Sequence, residues 1–182
     1  MKRLLFLAAL ALTGSCNRPN GAHGGMAAAC EVALIYVEMT RTESRSDLPL
    51  LVVADDETGL DDLVALNRVP GEPKLPEPLL RKLQGKGGSA LKACPGMRAD
   101  LTRRGVPHAL DGRQHPVKLR GENSYDTERL GVALPVLSDD GREALIATST
   151  VNAPEGGMGQ IVHLRRGFWG WSVVARRMVW IV

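Results

Sequence analysis

ALIATSTVNAPEGGMGQIVHLRRGFWGWSVVARRMVWIV, residues 144–182, is the stretch on which the fold turns. It holds three β-like runs, 144–151, 160–165 and 170–182, and a fourth, 131–137, precedes them. Asp139, Asp140 and Gly141 make a tight hairpin before the second run. Residues 153–159 form a wide loop, and Arg166-Gly167 a second tight turn. Connections this short require antiparallel neighbours, so the region reads as a four-stranded antiparallel meander. Within its last run Trp171, Val173 and Ala175 alternate with Ser172, Val174 and Arg176, which turns one face to a core.

Upstream the pattern changes period. Val32, Ile35, Tyr36 and Met39 recur at helical spacing within 27–45, although the β-branched content keeps a strand over 32–39 as the rival. Residues 49–54 are a short apolar run expected as a buried strand, ended by the turn Asp55-Asp56-Glu57-Thr58-Gly59. A short helix over 60–67 follows, with Asp61 and Asp62 in its first turn, where the macrodipole favours negative charge. Four prolines make 69–78 an extended connection, and Pro78 opens a helix to about Gln84 that Gly85 stops. Residues 98–120 are basic and weakly patterned; they read as a solvated face leading into a short strand over 117–120. The class is α+β: a single domain over 26–182, with the meander packed on one or two N-terminal helices.

The chain has 182 residues, 44% of them hydrophobic and 24% charged, which suits one ordinary domain and excludes wholesale disorder. Its formal charge of +3 includes Lys2 and Arg3, which belong to a cleavable leader; without them 21 basic residues face 20 acidic ones. That balance gives no support to nucleic acid as a partner.

The leader is read from its three parts. Lys2 and Arg3 form a positive start, residues 4–12 an apolar centre, and Thr13, Gly14 and Ser15 a run of small side chains before Cys16. Nine apolar residues rise only about 14 Å as a helix, half a hydrocarbon core, so the segment is too short to span. It resembles a bacterial lipoprotein signal, in which the cysteine after the small residues is acylated and becomes the first residue of the mature chain. That pattern prefers a large aliphatic residue three before the cysteine, where Thr13 stands here, with Leu12 one position further back. Plain cleavage near Ala27-Ala28-Ala29 is the rival. The resemblance implies lipidation of Cys16, attachment to a membrane through that anchor, and a periplasm-facing location. Because Asn17 is not the aspartate associated with inner-membrane retention, the outer membrane is favoured over the inner. Residues 17–25, rich in Gly, Asn and Pro, read as a flexible tether.

Three cysteines leave Cys30 and Cys94 as a pair once Cys16 is assigned to the lipid. Two buried free thiols, or a reactive Cys94, are the alternatives; Pro95 and Gly96 after Cys94 exclude a CxxC motif.

The final strands also resemble those of secreted bacterial α+β proteins of no assigned function. Gly170-Trp171-Ser172-Val173 and Trp180-Ile181, following a Gly-rich loop and a strand ending in Leu164, carry the likeness over about fifty residues. It implies a fold and no catalytic residue.

Candidate sites are few. Asp55, Asp56, Glu57, Asp61 and Asp62 invite calcium, but an EF-hand counted from Asp55 would put Leu60 where the loop needs glycine and Leu66 where it needs glutamate, so no metal is expected. Gly85 to Ser89 lacks the Walker order, and no cofactor is implied. No GxSxG or HExxH occurs. His108, His115 and His163 are the only candidates for a general base. Gly156, Gly157, Met158 and Gly159 form a loop where backbone could approach a ligand. The expected role is therefore a non-catalytic binding module of the cell envelope, its partner another envelope protein or a cell-wall component. The alternative is a periplasmic hydrolase using a histidine base.

Overall fold

The computed structural model describes residues 22–44, 47–54, 63–84, 86, 88–111, 118–120 and 124–181. Helix α1 (Ala22–Glu43) is followed by strand β1 (Leu50–Val53) and a 3-10 helix (Leu63–Arg68). Three short helices come next, α2 (Glu77–Leu83), α3 (Ala90–Ala93) and α4 (Met97–Arg103). The chain then enters β2 (His108–Ala109), β3 (Glu128–Val132), β4 (Val136–Leu137), β5 (Glu143–Ala153), β6 (Gly156–Gly167) and β7 (Gly170–Ile181).

The class is α+β, but the sheet is larger than a four-stranded meander. Seven strands run in the order β2-β1-β3-β5-β6-β7, with β4 beside the start of β5. The pairs β3–β5, β4–β5, β5–β6 and β6–β7 are antiparallel, while β1 lies parallel to both β2 and β3. Short turns disclose antiparallel neighbours. Parallel ones need a long crossover, here the whole helical middle of the chain between β1 and β2, and local pattern does not reveal which strand it returns to. All four residues of β1 are buried, as expected of a strand covered on both faces.

Helices cover both faces. On one, α1, α3 and α4 bury Val32, Tyr36, Leu91 and Leu101 against Leu130, Ile146, Val162 and Leu164. On the other, the 3-10 helix and α2 bury Leu63, Leu79, Leu80 and Leu83 against Leu145, Ala147 and Ile161. Each fully buried Leu or Ile here contributes roughly 1.5–3 kcal/mol of transfer free energy. The apolar run 144–147 is continuous because its alternate residues serve two cores.

Several expected elements differ in place. Residues 131–137 are split into β3 and β4 around Pro135, which has no N–H for a ladder, and the Leu134 N–H turns away to Gly88 O (2.8 Å). The helix expected at 60–67 is a 3-10 helix in its described part. The basic stretch 98–120 is not merely a solvated face, because α4 buries Leu101 and the chain after it buries Val106 and Ala109. Only the bridge Leu119↔Tyr125 stands where a strand over 117–120 was expected. Helix α1 opens at Ala22, inside the stretch read as a tether, and excludes the strand alternative over 32–39.

The Pro-rich connection is extended only over 73–76: residues 69–72 turn, with a positive φ at Gly71 (79°), and α2 already begins at Glu77; side chains hold it in place of ladder bonds. Asn67 exchanges two hydrogen bonds with Leu75, both 2.8 Å. The buried Arg177 of β7 donates to Leu66 O (2.6 Å) and Pro73 O (3.1 Å), with Nε 3.6 Å from Glu72 Oε2. Its guanidinium fork joins the 3-10 helix, the connection and the edge strand.

Cys30 and Cys94 form a disulfide, their Cα atoms 5.6 Å apart. It ties α1 to the α3–α4 junction and closes a loop whose chain-entropy effect is about 4 kcal/mol. Such a bond points to an oxidising compartment. No helix among the described residues is long and apolar enough to cross a membrane.

Candidate functional site

Helix α1 is apolar beyond the face it buries. Ala29, Val32, Ala33, Tyr36 and Val37 repeat at helical spacing and are buried in the core. Met26, Leu34, Ile35 and Met39, around that face, are half-buried or exposed, Leu34 and Met39 packing on the edge of the core. The disulfide and an ion pair between Glu38 Oε1 and Arg104 Nη1 (3.5 Å) set α4 alongside α1 in the same direction. Arg41 Nη1 adds a hydrogen bond to Arg104 O (3.1 Å).

Between the two helices run adjoining hollows of about 370 and 490 Å³ that share Leu34. Ile35 and Met39 line the first, Met26 and Met97 the second. Together they make a trough along α1 with an apolar floor. Its rim is charged: Glu38 faces Arg104, Glu43 Oε2 takes Arg176 Nη2 at 2.6 Å, Asp100 takes Arg103, and the exposed Glu31 stands beside them. Such a surface offers shape and apolar contact, and its three methionines, unbranched and polarizable, let it mould to an occupant.

The run Gly156 to Gly159 is not a loop. It begins β6, and Pro154-Glu155 alone make the turn from β5. The glycines are needed for space. A Cβ on Gly159 would lie 2.1 Å from Nε1 and 2.5 Å from Cε2 of Trp180, and one on Gly157 would lie 3.3 Å from Trp180 Cζ3. Gly159 pairs with Trp180 across the ladder, so the indole lies over the missing side chains. This backbone is occupied by the protein's own tryptophan, and the binding lip expected there becomes a packing device. Met158 Sδ accepts from Gln160 Nε2 at 3.0 Å.

The histidines do not converge. His163 is buried beside Leu145 and Ala175 on the face that α2 covers, its Nε2 without a hydrogen-bond partner and 3.7 Å from Glu143 Oε1. Burial pushes its pKa below the ordinary imidazole value, Glu143 draws it back up, and Arg165 lowers it further. His108 stands in β2, four strands away, roughly 19 Å at ordinary strand spacing, with Nδ1 3.1 Å from Val106 O. His115 lies outside the described residues. Ser149 is buried mid-sheet opposite Gly159, and Ser124 bonds to Arg120 O. No nucleophile, base and acid are brought together among the described residues.

Among the described residues no three His, Cys, Asp or Glu side chains are grouped to hold a metal. The whole acidic cluster, Asp55, Asp56, Glu57, Asp61 and Asp62, lies outside them, as does Cys16.

Two features escaped the sequence. Arg176-Arg177, which as a charged pair suggests a break in the last β-run, stays within one continuous strand, and Arg177 is 3% exposed because the 3-10 helix folds over it. The β6–β7 turn is not Arg166-Gly167 but Phe168-Trp169, whose side chains are 91% and 96% exposed. Glycines on either side of two aromatics were the available signal, since a positive φ at Gly170 (113°) closes the turn there. No protein-family model, curated protein or solved structure matches this chain.

Proposed function

We propose that this is an exported cell-envelope protein, held at a membrane by an acyl group on Cys16, that works as a non-catalytic binding module for another envelope protein. The trough between α1 and α4 carries the reading. Two helices lying side by side with an apolar floor suit a third, amphipathic helix laid in the groove. Glu38, Glu43 and Asp100 on the rim are already paired, so the occupant is recognised chiefly by an apolar stripe at helical spacing. The Cys30–Cys94 disulfide supports the exported location, since such bonds persist in oxidising compartments. The leader at 1–16 supports export and anchoring, with the periplasmic side of the outer membrane as the preferred place.

The test places a photo-crosslinking side chain at Ile35, on the trough, in living cells. The expected result is an adduct whose partner-side peptide maps to an amphipathic helix, lost when Leu34→Glu puts a charge on the floor. An adduct that survives Leu34→Glu, or no adduct from a folded and exported chain, would overturn the reading. Intact mass of the membrane fraction reads the anchor separately: an acylated chain beginning at Cys16 is expected.

A further inference from the structure

The β6–β7 hairpin projects past its neighbour. β5 begins at Glu143, opposite Arg165, and its last contact is the Arg166 N–H on Arg142 O (2.8 Å), so residues 167–170 extend beyond β5. The turn exposes Phe168 and Trp169 almost completely, their rings edge to face with centroids 5.0 Å apart. Two aromatics held out together are not explained by the fold, because neither packs on a core. At the base of the tip stand the exposed cations Arg142, Arg165 and Arg166. Carboxylates stand among them: Glu143 pairs with Arg165 (2.9 Å) and Asp139 with Lys82 (2.6 Å), while Asp140, bonded by the Ser138 hydroxyl (2.6 Å) and the Arg142 N–H (3.0 Å), stays ionised beside Arg142, so Arg166 is the cation of the three set to meet an anion.

We propose that this hairpin is a membrane-interface tip, Phe168 and Trp169 entering the headgroup and upper acyl region of an anionic bilayer while Arg166 at its base meets lipid phosphate. A convex pair of aromatics suits a soft apolar phase, whereas a protein partner would need a matching pocket. Tryptophan and phenylalanine favour that boundary, and arginine binds phosphate while its stem covers apolar surface.

The placement of α1 agrees. Cys30 is tied to Cys94, just past the Ser89↔Ala133 bridge at the carboxyl end of β3, whereas Ser44 donates to Glu128 Oε2 (3.4 Å) at its amino end. Helix α1 therefore runs against β3, and its first turns lie toward the end of the sheet where β6 and β7 turn. This part of the argument rests on the anchor proposed at Cys16: chain leaving α1 for a bilayer would leave on the side of the tip. The exposure and charge of the hairpin stand apart from it.

The experiment uses the chain from residue 16 onward carrying Cys16→Ser, so that neither an acyl group nor the cationic, apolar leader contributes, with vesicles of phosphatidylethanolamine and phosphatidylglycerol or of phosphatidylcholine alone. Quenching of tryptophan emission by bromine-labelled phospholipid is expected on the anionic vesicles and is expected to be mostly lost in Trp169→Phe. Phe168→Ser with Trp169→Ser should weaken vesicle binding about a hundredfold, the scale of two aromatic side chains leaving an apolar phase. Arg166→Glu should weaken it on anionic vesicles only. Quenching unchanged by Trp169→Phe would overturn the proposal. So would a sedimenting dimer that the double serine variant makes monomeric, because the tip would then be a contact between copies. Failure to find an acyl group at Cys16 in cells would sink the anchor and leave the vesicle result standing.

Discussion

Replacing Gly159 with alanine puts a methyl group where the Trp180 indole lies. The added carbon would sit 2.1 Å from Nε1, 2.5 Å from Cε2 and 2.7 Å from Cδ1, while a comfortable contact is about 3.5–4.0 Å. The ring must retreat by about 1.5 Å or swing off the strand, giving up packing on β6; overfilling of this kind costs about 1–3 kcal/mol. Gly159 has no positive φ, so alanine meets no backbone strain, and the change recovers about 0.5–1 kcal/mol through lost chain freedom in the unfolded state. The expected net is a destabilisation of about 1–2 kcal/mol, lowering the melting temperature by about 3–8 °C in a domain this size. Urea titration followed by circular dichroism reads the free energy, and a red shift of the native tryptophan emission reports the displaced indole. The same substitution in a Trp180→Ala background should be neutral or stabilising. That gives a coupling of about 2 kcal/mol between two residues in direct contact. Equal effects in both backgrounds, or a stabilised Gly159→Ala chain with Trp180 present, would refute the view that glycine is there to seat the indole.

Two more outcomes follow from buried groups on the α2 face. Arg177→Met strips the donor from Leu66 O and Pro73 O and is expected to cost about 2–3 kcal/mol, with Arg177→Lys intermediate because a single ammonium replaces the fork; a midpoint unchanged in urea would show that the clamp carries no stability. The lowered pKa of His163 makes stability fall on acidification: below about pH 6.5 the unfolded chain takes up a proton that the buried ring refuses until its own lower pKa is reached. Over that window the loss is up to about 1.4 kcal/mol per pH unit, and His163→Leu should flatten it; identical slopes for both chains between pH 7 and 5 would contradict the burial argument.

The helix over 27–45, the strand over 49–54, the Pro-rich connection and the long β-runs after residue 143 were legible because each depends on near neighbours. Helical spacing of Val32, Tyr36 and Met39, proline's missing N–H, and the Asp139-Asp140-Gly141 turn act within a few residues. The cysteine count likewise predicted the Cys30–Cys94 bond. The candidate site was hardly legible at all. The glycines at 156–159 look like a free loop until Trp180, two dozen residues on, is laid across them, and His163 looks like a half-exposed strand residue until α2 covers its face.

Sequence alone determined the α+β class, the leader-like start and most of the antiparallel ladder, since periodicity and turn chemistry are local. Tertiary structure decided that β1 enters the sheet in parallel, that helices cover both faces, and that α4 lies beside α1 to form the trough. It also decided which side chains are left outside, Phe168 and Trp169 above all. Those are questions of which distant surfaces meet. Burial is a property of the whole assembly of layers, and an apolar residue carries no local mark saying whether a partner layer will reach it.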